Sequence, residues 1–496
     1  MTHKSLVSKI IKSDWLGITG ILAICFFSHL PHLLNPGLII DNDECVLGIM
    51  AQRALEHHEL PFYFIGQAYG FAWIETIAAA LAFKAWGVSF VSLESAMLIL
   101  WAIGSCFYYR AMAILTNRAY GFMVIVLLVL SPAWMSWSMK ARGGYITAFL
   151  LTSIIFYWWV KKEKSLKRWE FFCLGALCYL NLISQANFSI LTFILSAYFL
   201  WKNKSMGALL SYLSGLLTLF TFSKFMLLFE FNYNYWHPDI FGGHKDHSIL
   251  GIIKHIPGAL CQVCSAPFSH GFVLVLIFLL IVGSILQLFL LASRKGDPLA
   301  AILFLCVLTL IVLSTFLNPH GYTVRYLLAL SVFSILWLGV LYFDWWQKHP
   351  VFKAIFIILF SILFTFGSIA LSHELSLKGM TYEQKVRGLI SFLDQHHIKY
   401  VYCLDDYNFW ELLFLSDQQI IPRWKKCWDR MPQYPLEADR ALIIGQPVVL
   451  VVAIDKLNMI QKIIGNDKFL IFENNYIIIF SPSKELIFEK LKFLKP

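Results

Sequence analysis

The chain has 496 residues, of which 58% are hydrophobic and only 14% charged, and its mean hydropathy is +0.67. A water-soluble chain of this size is about a quarter charged, so the composition excludes a soluble cytosolic enzyme and a disordered protein and implies a polytopic membrane protein. The formal net charge of +10 bears first on topology rather than on nucleic acid, because Lys and Arg collect on the cytoplasmic side of membrane proteins.

A membrane span takes roughly 17 to 25 mainly apolar residues. In chain order such runs fall near 15–34, 91–115, 119–137, 144–160, 170–184, 186–201, 206–229, 271–293, 299–317, 327–343 and 354–372. These predict about 11 transmembrane helices. The first run lacks a small-residue cleavage signal and is expected to be a retained anchor. A further apolar stretch, 71–88, carries Glu75 and Lys84. Charge parity decides whether it crosses. The N-terminal Lys4, Lys9 and Lys12 and the basic loop Lys161, Lys162, Lys164, Lys167 and Arg168 should both be cytoplasmic, which requires an even number of spans between them. The stretch is therefore expected to be an interfacial or re-entrant helix on the external side, where its charges are easier to tolerate. The remaining cytoplasmic segments then hold Arg110 and Arg118, Lys202 and Lys204, Arg294 and Lys295, and Lys348 and Lys353. Aromatic residues at the predicted cytoplasmic ends, Tyr157, Trp158, Trp159, Trp201, Trp345 and Trp346, agree with this assignment.

An odd number of spans puts the C-terminus outside. Residues 1–372 are expected to form the membrane domain and residues 373–496 a small external soluble α/β domain. The latter shows helical patterns near 382–397 and 455–465 and strand-like runs at Val448–Ala453, Phe469–Phe472 and Tyr476–Phe480. Asn181, Gln185 and Asn187 read as polar groups at an external turn, and Asp405 with Asp406 as a turn after a strand.

Two external segments are unusually long, 35–90 and 230–270, and loops of that length are commonly functional. The first contains Asp41-Asn42-Asp43-Glu44 followed by Val46, Ile49, Met50 and Ala54 at helical spacing, which predicts an amphipathic helix lying in the interface with acids at its N-terminus. The acids have two readings. One of Asp41, Asn42 or Asp43 is an N-cap and Glu44 complements the helix dipole, or a carboxylate here is catalytic or binds a metal.

A first span, an external Asp-Glu pair opening a juxtamembrane helix, the run Gly66-Gln67-Ala68-Tyr69-Gly70 and a Glu75-bearing apolar helix together resemble the GT-C membrane glycosyltransferases. Within that superfamily the pattern is similar to the protein O-mannosyltransferases and the lipid A aminoarabinose transferase, over roughly residues 15–345. The resemblance implies a GT-C fold and transfer of a sugar from a polyprenyl-phosphate donor to a glycan, lipid or protein acceptor outside the membrane, with an Asp of the first external loop as base. That role falls to Asp43, with Glu44 beside it. Such chemistry needs a carboxylate to take the acceptor hydroxyl's proton and cations to stabilise the departing phosphate. The resemblance implies a bacterial inner membrane location with the N-terminus cytoplasmic and the C-terminal domain periplasmic.

Arg325, in the run His320-Gly321-Tyr322-Thr323-Val324-Arg325-Tyr326, sits where the superfamily often has an Arg-Tyr pair entering a late span and can hold phosphate bidentately. It can equally snorkel to lipid headgroups. Lys140-Ala141-Arg142-Gly143-Gly144-Tyr145 places two cations externally, against the positive-inside preference, and suggests an anionic lipid partner. The superfamily usually has an Asp in this loop and none stands here, so a second carboxylate has to come from Asp41, Glu44 or Glu75. Donor phosphate is thus expected at Arg325, Lys140, Arg142 and Tyr145, and other substrate contacts at Gln67, Tyr69, Glu75, His320, Tyr322, Trp236 and His237.

The second loop is rich in His and aromatic residues and holds Cys261 and Cys264. Its spacing fits no zinc signature; contact with sugar or acceptor is favoured over metal binding, and a plain interfacial loop is the other reading. Disulfides Cys261–Cys264 and Cys403–Cys427 are open options in an oxidising compartment. No cofactor is expected; a divalent metal is possible but not favoured. A lipid-linked sugar flippase would also be polytopic and basic, but it should carry interrupted or charged helices at the midplane; a non-catalytic scaffold gives no reason for acids and cations to share one face.

Overall fold

The computed structural model describes residues 14–34, 41–67, 70–162, 166–229, 282–288, 290, 297–317, 324–349, 351, 353–355, 358, 382–404, 409–425, 430–464 and 469–493. The expected spans 271–293 and 354–372 fall largely outside them.

The membrane part begins with α1 (Asp14–Leu34), followed by α2 (Asn42–Glu56), α3 (Trp73–Trp86) and α4 (Phe90–Leu115). Helix α4 starts where the Ser89 side chain accepts from the backbone N–H of Ser92, satisfying one of the orphan donors of a helix N-terminus. Next come α5 (Arg118–Val129) and the short α6 (Pro132–Trp137). The single span expected over 119–137 is thus two pieces. Pro132 lacks the N–H that would continue α5 and its ring clashes with the preceding turn, so it instead opens a new helix at its first position. Trp134 Nε1 then donates to Ser331 Oγ at 3.1 Å, which ties α6 to a later helix of the bundle.

Helices α7 (Tyr145–Lys161), α8 (Arg168–Ser184), α9 (Ala186–Asn203), α10 (Met206–Phe229), α11 (Pro298–Leu317), α12 (Val324–Leu341) and the short α13 (Phe343–Lys348) complete the described membrane part. Among the described residues, three helices, Asp14–Leu34, Phe90–Leu115 and Met206–Leu228, are long and apolar enough to cross a membrane. Helix α10 leaves Leu210, Leu217, Phe225 and Leu228 more than half exposed. An apolar face of that extent needs lipid rather than water around it, and the chain is an integral membrane protein. Helix α3, at 14 residues, is roughly 21 Å long and too short for a hydrocarbon core of about 30 Å.

Polar groups inside the bundle answer one another. Asn181, expected at a turn, lies wholly buried in α8, where its Nδ2 donates to Thr152 Oγ1 of α7 at 2.9 Å and to Thr192 Oγ1 of α9 at 3.4 Å. Only Gln185 stands at the junction itself, between α8 and α9. Helices α8 and α10 approach so closely that a Cβ on Gly175 would fall 2.1 Å from the Tyr212 carbonyl oxygen, and one on Gly215 2.0 Å from that of Phe172. Neither helix can yield without separating along its length. Gly175→Val should therefore cost about 1–3 kcal/mol or more of overpacking strain, read as a lowered thermal unfolding midpoint in detergent, whereas Gly207→Ala, facing the flexible Arg168 side chain, should be tolerated.

The C-terminal part is an α/β layer: α14 (Tyr382–Gln395), β1 (Tyr400–Cys403), α15 (Phe409–Leu415), β2 (Ile421–Trp424), α16 (Gln433–Ile444), β3 (Val448–Ala453), α17 (Leu457–Ile464), β4 (Leu470–Phe472) and β5 (Tyr476–Phe480). The five strands are ordered β2-β1-β3-β5-β4. Strand β1 runs parallel to β2 and β3, while β5 is antiparallel to β3 and β4. Parallel neighbours need crossovers, and the connections holding α15 and α16 supply them. The β4–β5 hairpin turns through Glu473 and Asn474, both at positive φ, as a tight hairpin requires. A buried Arg423–Asp439 ion pair at 2.9 Å, joined by the Tyr402 hydroxyl donating to Asp439 at 2.6 Å, holds β2 and β1 to α16. Cys403 is a free, buried thiol in β1. Its proposed partner Cys427, and Cys261, Cys264, Asp405 and Asp406, lie outside the described residues.

Candidate active site at the N-terminus of the first juxtamembrane helix

Asp41 is the N-cap of α2. Its Oδ1 accepts from the backbone N–H groups of Asp43 and Glu44 at 3.0 and 3.3 Å, and Glu44 Oε2 reaches back to the Asp41 N–H at 3.0 Å. This reciprocal capping box settles which acid caps the helix and leaves the Asp43 side chain out of that role.

The helix does not lie half-exposed in the interface as its pattern predicts. Residues 44–52 are buried all round, because α3 packs against one side and α15 of the C-terminal layer against another. Gln52 Nε2 donates to the Phe414 carbonyl at 2.8 Å, and Arg53 donates to Gln418 Oε1 at 3.2 Å and to the Tyr434 hydroxyl at 2.9 Å. The Phe414 ring stacks on Phe90 at a 5.6 Å centroid distance. Rigid docking of two layers fixes where the acids point.

The loop between α6 and α7 meets these acids. Lys140 Nζ lies 3.3 Å from both Asp41 Oδ2 and Glu44 Oε2. Arg142 Nε is 2.6 Å from Asp41 Oδ2, with Nη2 on the same oxygen, and 3.8 Å from Asp43 Oδ2. Both cations sit near the Trp137 ring, 5.7 and 5.2 Å from its centroid. A third cation arrives from the C-terminal layer: Arg430 Nη2 is 2.7 Å from Asp43 Oδ1. Three carboxylates and three cations thus form one balanced cluster.

Burial and charge act on these groups in opposite senses. Desolvation would raise the Asp41 carboxyl, but Lys140 and Arg142 outweigh it and hold the group below its ordinary value. Glu44 is sealed from solvent, and there desolvation wins over Lys140 and pushes it up to about 7. Desolvation works against the Lys140 ammonium, yet Glu44 and Asp41 keep it above its usual range. Asp41 and the two loop cations stay charged, while Glu44 titrates near neutrality.

The loop is anchored by Glu75. Expected among the substrate contacts, Glu75 is instead fully buried, and its Oε1 accepts from the backbone N–H groups of Gly144 and Thr147 at 3.1 and 3.0 Å. Gly144, the N-cap of α7, has no side chain to cap with; the carboxylate from α3 takes that place and complements the helix dipole. Gly144 adopts φ +100° and a Cβ there would lie 2.7 Å from the Ser184 carbonyl oxygen, so only glycine fits. Glu75 therefore acts on the cluster by setting the Lys140–Gly144 loop. Tyr145, expected on the donor phosphate, is largely buried with its ring 5.5 Å from that of Trp137.

Gln67 lies in a turn in which its N–H donates to the Phe64 carbonyl at 3.0 Å. Arg325 falls in the first turn of α12; nothing further is described of its side chain. Tyr69, His320, Tyr322, Trp236 and His237 lie outside the described residues. Sequence reasoning missed Arg430. Its neighbourhood, Trp424-Lys425-Lys426-Cys427-Trp428-Asp429-Arg430, is basic and aromatic, but positive-inside counting carries no weight in a long domain outside the spans.

A helical membrane bundle whose first long loop carries acids at the start of a short helix, covered by an α/β layer, is the architecture of the GT-C glycosyltransferases, and the chain has that fold. Among solved structures it is similar to ArnT from Cupriavidus metallidurans bound to undecaprenyl phosphate, with a TM-score of 0.64 at 10% identity over 95% of this chain and 98% of that one. The apo state of the same protein gives 0.60 at 10% identity over 97% and 99%. The Archaeoglobus fulgidus oligosaccharyltransferase in complex with Zn and sulfate gives 0.50 at 11% identity over 89% and 68%. No family profile and no curated protein sequence matches the chain.

Proposed function

We propose that the protein transfers a sugar from a polyprenyl-phosphate donor to an acceptor hydroxyl at the external face of the membrane, by a single inverting displacement with Asp43 as base. The observation that carries the reading is the Asp43 carboxylate, partly exposed and freed from capping by Asp41, standing between Arg142 and Arg430, with Lys140 on the neighbouring acids, cations that match a departing phosphate. Undecaprenyl phosphate in the ArnT neighbour supports a lipid phosphate as the leaving group. The acceptor oxygen forms a bond to the anomeric carbon and gives its proton to Asp43, while the bond from that carbon to the phosphate oxygen breaks with its electron pair leaving on phosphate. A sugar phosphate is already a good leaving group, so no strong general acid is needed.

Lys140 and Arg142, with Arg325, would stabilise the released phosphate. Glu44 supports the arrangement by holding Lys140 and the Asp41 N–H. Gln67, Tyr69, His320, Tyr322, Trp236 and His237 are the proposed sugar and acceptor contacts. The reaction is proposed to be metal-independent: a divalent ion would need carboxylate oxygens that Lys140, Arg142 and Arg430 hold. The proposed topology is 11 spans in residues 1–372, N-terminus cytoplasmic, with residues 373–496 external, in a bacterial inner membrane.

The test is incubation of the purified protein in detergent with polyprenyl-phosphate sugars, with and without a chelator, and assignment of the product's anomeric configuration by NMR. An inverted product formed equally well under chelation is expected. A retained configuration, or loss of turnover on chelation, would refute the corresponding step.

The raised Glu44 carboxyl adds a pH prediction. Below about pH 7 Glu44 takes up a proton, the cluster gains one positive charge, and an anionic donor should bind more tightly. The donor KM should fall as the pH is lowered from 8 to 6, and Glu44→Gln should remove that dependence by fixing the cluster in its more positive state.

A further inference from the structure

Among the described residues Arg430 is the one cation of the cluster supplied by the C-terminal layer, and the membrane part is shaped to receive it. Its guanidinium lies 4.9 Å from the centroid of Phe64. Its stem lies against Gly66, where the backbone has φ +83° and a Cβ would fall 2.3 Å from Arg430 Cγ. A side chain at position 66 would thus both strain the turn and close the slot. The slot leads to Asp43, which Arg430 meets at 2.7 Å.

The two groups are alike in access, about one fifth exposed each, whereas Glu44, the partner of Lys140, is 1% exposed. Lys140 and Arg142 are each fixed by Asp41 together with a second carboxylate. Arg430 Nη2 covers Asp43 Oδ1 at 2.7 Å and Arg142 Nε faces Oδ2 at 3.8 Å, so guanidinium groups occupy the carboxylate oxygens that an acceptor hydroxyl would have to reach. A phosphodiester offers Arg430 an equivalent bidentate partner.

We propose that Arg430 exchanges Asp43 for the phosphate of the lipid donor, so that donor capture by the C-terminal layer frees the base. This deepens the sugar-transfer reading and rests on it. The exchange moves no proton and breaks no covalent bond; it replaces one guanidinium–oxyanion pair by another, and Asp43 is left facing the acceptor. The C-terminal layer is then part of the donor site. Its docking through Gln52 and Arg53 to α2 keeps Arg430 in reach.

The exchange makes a reciprocal prediction that a structural role for Arg430 does not. Binding of undecaprenyl phosphate to the full-length protein in detergent would be measured for wild type, Arg430→Gln, Arg430→Lys, Asp43→Asn and the Asp43→Asn/Arg430→Gln double variant. Arg430→Gln should weaken binding at least tenfold and Arg430→Lys should recover much of it. Asp43→Asn, which releases Arg430 from its carboxylate, should tighten binding by threefold or more, and the gain should vanish in the double variant. Should Arg430→Gln fail to fold, Arg430→Lys and Asp43→Asn still read the exchange. Binding unchanged by either Arg430→Gln or Asp43→Asn would overturn the proposal, and a wild type that does not bind the lipid phosphate would overturn it together with the transfer reading. If the binding cycle holds while no sugar is ever transferred, the transfer reading falls and Arg430 stands as a lipid-phosphate site.

Discussion

Asp43→Asn should lower kcat for sugar transfer by about 10²- to 10⁴-fold, the range that a positioned general base contributes, with the donor KM unchanged or lower. The substitution keeps the shape of the side chain, removes the charge that pairs with Arg430 and the ability to take the acceptor's proton, and leaves the capping box of Asp41 and Glu44 untouched. The loss should therefore fall on kcat. Asp41→Asn is the informative control. Asp41 is the N-cap and the shared partner of Lys140 and Arg142, so its replacement should loosen the loop, lower the unfolding midpoint and raise the donor KM. A protein in which Asp41→Asn abolishes turnover with full stability while Asp43→Asn retains it would reverse the two roles.

Lys140→Met should be the most destabilising single change in the cluster. Lys140 bridges Asp41 and Glu44, and its removal leaves Glu44, which is sealed from water, without a counter-charge. Breaking a buried pair from one side costs about 3–5 kcal/mol, and part of that will be relieved by Glu44 taking up a proton. Pairing the change with Glu44→Gln should recover most of the lost thermal stability, because it removes the stranded charge. A double-mutant cycle on the detergent unfolding midpoint reads this directly: strong non-additivity is expected for residues in contact, and simple additivity would mean that the two side chains do not interact.

Much of the fold was legible because apolar runs bounded by caps predict helices whatever they pack against. The runs at 91–115 and 206–229 recur as Phe90–Leu115 and Met206–Phe229, and Val448–Ala453 and Tyr476–Phe480 recur as strands. The break at Pro132 was also written in the chain, but a mostly apolar stretch conceals a helix end when length alone is weighed. Strand β2, Ile421–Trp424, contains Pro422 and Arg423, which argue against a strand. It is tolerated because β2 lies at the sheet edge, where a missing N–H goes unused, and because Asp439 neutralises the arginine.

In the site, the acids were visible as a cluster opening a helix and Lys140 with Arg142 as cations against the positive-inside preference, and the structure brings them together. Which acid caps and which is free depends on side-chain direction over one helical turn, which composition does not encode. Glu75 was expected to touch substrate on the strength of the resemblance; its carboxylate instead accepts from two backbone N–H groups of another helix, a tertiary fact. Arg430 reaches Asp43 only through docking of the C-terminal layer on α2, and no local pattern announces a contact between residues so far apart in the chain. The burial of α2 on both sides has the same origin.

The most direct test of sugar transfer at this cluster is the consumption of a radiolabelled polyprenyl-phosphate sugar by purified wild type and Asp43→Asn in detergent, with a hydroxyl-bearing lipid, glycan or peptide as acceptor. Wild type should release polyprenyl phosphate as sugar moves to the acceptor, and folded Asp43→Asn should release at least a hundredfold less. Release by Asp43→Asn at the wild-type rate, or no consumption of any lipid-linked sugar by wild type, would contradict it.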